Sequence, residues 1–192
     1  MYKYVILAGL IAFGACNKPH VDTPVTHPVM DYTEFNQEIP FGQAFYVDID
    51  NNSSKDFLFY TIQSSDPILK KDYHYYQVGS SYGASVAEDT SNAQAPVLDK
   101  SAAISVNMPA GINWFNASGV TLARKVTGTT GTPFWEGGWK NASHQYVAVR
   151  VTRAELNYYG WLEVSFDAAA GKTILHRAAI CREAEKEVKA GA

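Results

Sequence analysis

Cysteine is almost missing from this 192-residue chain, which has only Cys16 and Cys181. That excludes the disulfide framework on which small secreted domains depend. Long apolar runs are missing too. The longest, residues 5–15, is shorter than the roughly 20 residues a helix needs to cross a bilayer core. Charge of one sign is scarce. Sixteen Lys and Arg stand against nineteen Asp and Glu, for a net charge of −3, with no dense basic cluster among the aromatics. Nucleic acid is therefore not expected as a partner. There is no phosphate loop, dinucleotide fingerprint, Gly-x-Ser-x-Gly elbow or His-Glu-x-x-His pair. His74, His144 and His176 are scattered, with no ligand-like spacing between any two. No internal repeat is visible.

The N-terminus carries a short positive start at Lys3, the uncharged apolar run, and then Gly14 and Ala15 directly before Cys16. A positive start, a short apolar core and small residues at a boundary mark a secretory signal peptide. The string Phe13-Gly14-Ala15-Cys16 resembles the lipobox of bacterial lipoproteins, with Phe13 where the commonest form has Leu. The resemblance implies that residues 1–15 are removed and that Cys16 carries the lipid. It also implies a place in the bacterial cell envelope, at the outer membrane, with the membrane as a partner through the anchor. The alternative is an ordinary secretory leader with a cysteine near its end. Residues 16–30 hold Pro19, Pro24 and Pro28 without periodicity and are predicted to be a flexible tether.

Residues 31–192 are predicted to form a single β-rich domain. Residues 43–49 alternate, with Phe45, Val47 and Ile49 on one face. With the β-favouring run 57–62 they suggest a hairpin closed by the polar loop 50–55. Further strands are expected at 73–78, 104–108, 112–115, 120–126, 146–151, 157–166 and 172–178, with a long loop over 79–94. Residues 179–189 place Ile180, Ala184 and Val188 at four-residue spacing before Gly191, which predicts a short helix. The expected class is mainly β: an antiparallel β-sandwich or roll with a short C-terminal helix. Asp56-Phe57 and Tyr159-Gly160-Trp161 loosely resemble parts of secreted bacterial β-sandwich domains. That likeness implies a fold and no activity.

One loop carries chemistry. Asp48, Asp50, Asn52 and Asp56 occupy positions 1, 3, 5 and 9 of DIDNNSSKD. Calcium takes six to eight oxygen ligands, and carboxylates at alternate positions of a tight loop supply them. The string resembles the Asp-rich calcium loops of secreted β-proteins, including the integrin-type propeller repeats. Ser53 stands where those loops usually have Gly, and Phe59 stands where an EF-hand has its last Glu. The alternative is a plain hairpin turn, for which Asp, Asn and Ser are also suited.

Tyrosine and tryptophan are plentiful, at 12 and 4 residues. They either fill cores or offer flat rings to sugars. Trp135 and Trp139, flanked by glycines and Glu136, are the expected exposed pair. The expected function is a lipid-anchored, non-catalytic module binding a glycan or an envelope protein. The alternatives are an envelope hydrolase and a structural or assembly lipoprotein. A deep pocket lined by two carboxylates would favour the hydrolase, and an aromatic shelf would favour binding.

Overall fold

Along Gln145–Arg153, the residues Val147, Val149 and Val151 all point one way and are buried. Along Leu156–Asp167, Leu162, Val164 and Phe166 do the same. An inward apolar face of this kind needs a second apolar layer opposite. The computed structural model, which describes residues 28–192, supplies it. The expected leader, Cys16 and nearly all of the expected tether lie outside the described residues.

Among the described residues thirteen strands run in chain order. They are β1 Met30–Pro40, β2 Phe45–Val47, β3 Phe57–Asp66, β4 Lys71–Ser80, β5 Ala84–Asp89, β6 Ala103–Ile104 and β7 Ile112–Phe115. They continue with β8 Val120–Gly128, β9 Phe134–Glu136, β10 Gln145–Arg153, β11 Leu156–Asp167, β12 Lys172–Cys181 and β13 Val188–Lys189. One sheet has the order β1-β12-β11-β10-β5-β7 and another the order β2-β3-β4-β8-β9, while β13 and β6 form a small third. All of these strand pairings are antiparallel. The two large sheets share one core, with Phe57, Phe59, Val78 and Leu122 from one and Val149, Leu162, Val164 and Leu175 from the other. The fold is mainly β and sandwich-like.

The six-stranded sheet is covered on its other face as well. Tyr159, Trp161, Tyr146, Ala148 and Ala87 form a second cluster there with Ile104, Val188 and Ala190. Burial on both faces explains why β5 was not legible as a strand. It reads ASVAED, small residues without alternation, which suits a strand buried on both sides. The stretch expected as a loop over 79–94 therefore contains a central strand.

The expected C-terminal helix is absent. Residues 179–181 complete β12, and Val188–Lys189 pairs with β6. Ile180 belongs to the sandwich core and Val188 to the outer cluster, so the helix-like spacing serves two different layers. Between them Glu185 adopts a positive φ of 58°. Its backbone N–H donates to Asn157 O at 2.7 Å, and its carboxylate accepts from the Asn157 backbone N–H at 2.8 Å. Among the described residues the only helical turn is the 3-10 segment Gly138–Asn141. β1 begins at Met30, one residue inside the expected tether. Within the Tyr-Gly-Trp string, a Cβ on Gly160 would collide with the carbonyl oxygen of Ala179 on the neighbouring strand. Only glycine fits that approach.

Candidate functional site

The β2–β3 hairpin forms as the alternation predicts, with Phe45 opposite Phe59 and Val47 opposite Phe57. Its loop brings Asp48, Asp50 and Asp56 together, each with a carboxylate oxygen within 4.8 Å of the others. Asp56 is 7% exposed and accepts from Ile49 N–H at 2.9 Å. Burial pushes its pKa above the usual aspartate value against that hydrogen bond, and the charge of Asp48 adds to the rise. Asp48 accepts from the backbone N–H groups of Asn52 and Ser53. Asp50 accepts from the Asn52 amide at 3.0 Å and pairs with Arg153. Asn52 turns its own oxygen to Ser54 N–H. Three carboxylates and one guanidinium leave a net charge of −2, which a divalent cation would neutralise. Asn51 and Ser53, at φ 54° and 72°, make the tight turn without the expected glycine.

Trp135 and Trp139 separate. Trp139 is 0% exposed, and its indole N–H donates to Ala95 O at 2.8 Å. It is a core residue and no part of an exposed pair. The flanking glycines misled the reading: Gly137 is there because a Cβ would press on Leu122 O, at 2.7 Å. Trp135, on β9, pairs with Lys125 on β8, which pairs with His74 on β4. Residues opposite each other in register share a face, so these three side chains form a row. Gln63, His74 and Lys125 continue the inner face past Phe59, Tyr76 and Ala123, at the open end of the sandwich.

Here the core gives way to a groove of about 320 Å³. Phe41 from the β1–β2 turn stacks on His74, with centroids 4.4 Å apart and 20° between planes. Tyr76 lies 5.5 Å from Trp135, and both rest on Phe166, at 5.0 Å each. The Tyr76 hydroxyl donates to Gly171 O at 2.8 Å, tying the β11–β12 turn to the groove wall. Lys125 Nζ stands 5.9 Å from the Trp135 ring. Among the described residues no carboxylate lines the groove. The sequence marks Trp135 as an exposed candidate and Tyr76 as one of the plentiful aromatics. Phe41, His74 and Lys125 come from distant segments, and only strand register shows them to be neighbours.

A second constellation was also out of sight in the sequence. His144 and His176 stack with centroids 4.0 Å apart. Glu163, 6% exposed, meets His144 Nδ1 at 2.7 Å and accepts from Arg177 at 2.5 Å. Burial works against this carboxylate, but the Arg177 and His144 hydrogen bonds outweigh it and hold its pKa below the usual glutamate value. Ser165 Oγ lies 2.8 Å from His176 Nε2 and accepts from His144 N–H, also at 2.8 Å. Burial, with the neighbouring His144, lowers the pKa of His176. A serine beside an imidazole is the beginning of a nucleophile–base pair. A working triad also needs an acid on the base, and Glu163 is bonded to the other histidine. Ser165 is buried in the strand next to β12. The cluster ties β11, β12 and the segment before β10 together.

Comparison of the chain with family models, with curated proteins and with solved structures returns no match.

Proposed function

We propose that this chain is a lipid-anchored, non-catalytic binding domain of the bacterial cell envelope, and that the groove beside Trp135 takes a glycan. One observation carries the binding half of this reading. Trp135, Tyr76, Phe41 and His74 converge at the open end of the sandwich around a cavity of about 320 Å³. That volume lies at the small end of ligand pockets. Flat rings offer apolar faces to the C–H face of a sugar, while Lys125 and the backbone of the β11–β12 turn offer polar partners for hydroxyl groups. The anchor half rests on the lipobox resemblance at Cys16. Among the described residues no helix is long and apolar enough to cross a membrane.

The acidic loop is proposed as a calcium site through Asp48, Asp50, Asn52 and Asp56. Its role is to stiffen the β2–β3 hairpin, which follows the Phe41 turn.

The test is retention of the mature protein on immobilised envelope polysaccharide. Wild type should be retained and eluted by soluble sugar, and Trp135→Ala should pass through with its melting transition still cooperative. Equal retention of both proteins would remove the groove from the account.

A further inference from the structure

Four of the chain's five arginines lie against a carboxylate: Arg124 on Glu136, Arg153 on Asp50, Arg177 on Glu163 and Arg182 on Asp31. Arg150 is the exception, with no carboxylate in ion-pair range among the described residues. It projects from β10 on the outer side of the six-stranded sheet, at the edge of the second apolar cluster. Its guanidinium stands 5.1 Å from the Trp114 ring, and Nη2 donates to the buried hydroxyl of Ser85 at 3.1 Å. Its Nε is buried and has no acceptor. Arg150 is half-buried, and burial presses its pKa down against the opposing pull of Tyr159 and Glu185. The packing nevertheless fixes the guanidinium in one place.

Arg150 lines an open surface cavity of about 470 Å³, rimmed by Ser81, Tyr82, Asn116, Thr152 and the turn at Glu155. The walls carry hydroxyl and amide groups alongside apolar surface. Glu155 is the only acid in the lining, and it is exposed on the β10–β11 turn. We propose that this cavity binds a small hydroxylated organic acid through its carboxylate, with Arg150 as counter-ion and the surrounding hydroxyl and amide groups holding the ligand's own hydroxyls. A guanidinium beside an aromatic ring presents the planar fork that a carboxylate matches. One arginine balances one negative charge. A phosphate dianion would leave a second charge unmatched, facing Glu155. The cavity is larger than a bare ion requires and lies on the opposite face of the molecule's main sheet from the aromatic groove, so the two sites are independent.

The test is the melting temperature of the mature protein in glucuronate, glucose or inorganic phosphate, at ionic strength held constant with sodium chloride. Glucuronate should raise it by a few degrees and saturate. Glucose should leave it unchanged, and phosphate should act more weakly than glucuronate. Arg150→Gln should abolish the glucuronate shift, while Trp135→Ala should keep it, which separates this site from the groove. Should Arg150→Gln not fold, the Arg150 Nε–H resonance of the unsubstituted protein gives the same answer by moving saturably with glucuronate. A flat response to glucuronate, a shift that survives in Arg150→Gln, a still Nε–H resonance or a stronger effect of phosphate would each overturn the proposal.

Discussion

Trp139 buries its whole side chain and satisfies its indole N–H on Ala95 O. Trp135, four residues earlier, keeps part of its ring at the groove. Their substitutions should therefore separate. Trp139→Ala should cost about 3–5 kcal/mol of stability, the usual range for deleting a buried large aromatic, and urea denaturation would read it. Trp135→Ala should lose ligand before it loses the fold. Titration gives the histidine cluster a sign. Glu163 and His176 both have pKa values lowered by folding. Each therefore contributes stability that is full above its unfolded pKa and is lost as pH falls through its folded value. For His176 the loss begins near its ordinary value of 6.5, and for Glu163 it follows below 4.5. His176→Gln should flatten the first part of the stability–pH curve, measured by denaturation at stepped pH. An unchanged slope would show that His176 titrates alike in both states.

At the scale of elements, the β2–β3 loop gives the sharpest expectation. A cation that binds only the folded loop stabilises it by about 2.7 kcal/mol at a hundredfold excess over the dissociation constant. Millimolar calcium should raise the melting temperature relative to a chelator, and magnesium should substitute poorly because it demands a tighter octahedral cage. Asp48→Asn removes one charge, leaves the Asp50–Arg153 pair intact and should erase most of the calcium effect. Equal melting with and without calcium would make Arg153 and the backbone N–H groups the loop's sufficient partners. Elements also differ in how legible they were. Strands with one wet face or a strong β-branched run, such as β3 and β10, were visible. β5 was not, because small residues buried on both sides leave no period. The Ile180–Val188 spacing mimicked a helix because two strand ends reach into two separate clusters. Of the groove, Trp135 and the aromatic character of Tyr76 were legible. The contributions of Phe41, His74 and Lys125 depend on register between strands far apart in the chain, and local pattern does not encode that. The acidic loop was legible because all its members lie within nine residues.

The molecule as a whole is two large sheets around one core, with a second apolar cluster on the far side of the larger sheet. Its aromatic groove lies at one open end. The proposed anchor would put this body at a membrane through the lipid on Cys16. Cys16→Ala should abolish incorporation of labelled fatty acid and release the protein from the membrane fraction. Continued membrane retention, with no label taken up by wild type, would remove the lipid anchor. The central claim is that the Trp135 groove binds sugar, and indole resonances test it most directly. In the mature protein titrated with soluble envelope oligosaccharide, the Trp135 indole N–H should move saturably while the buried Trp139 signal stays still. A Trp135 signal that does not move with the sugar, or a shift shared equally by every tryptophan, would contradict the account.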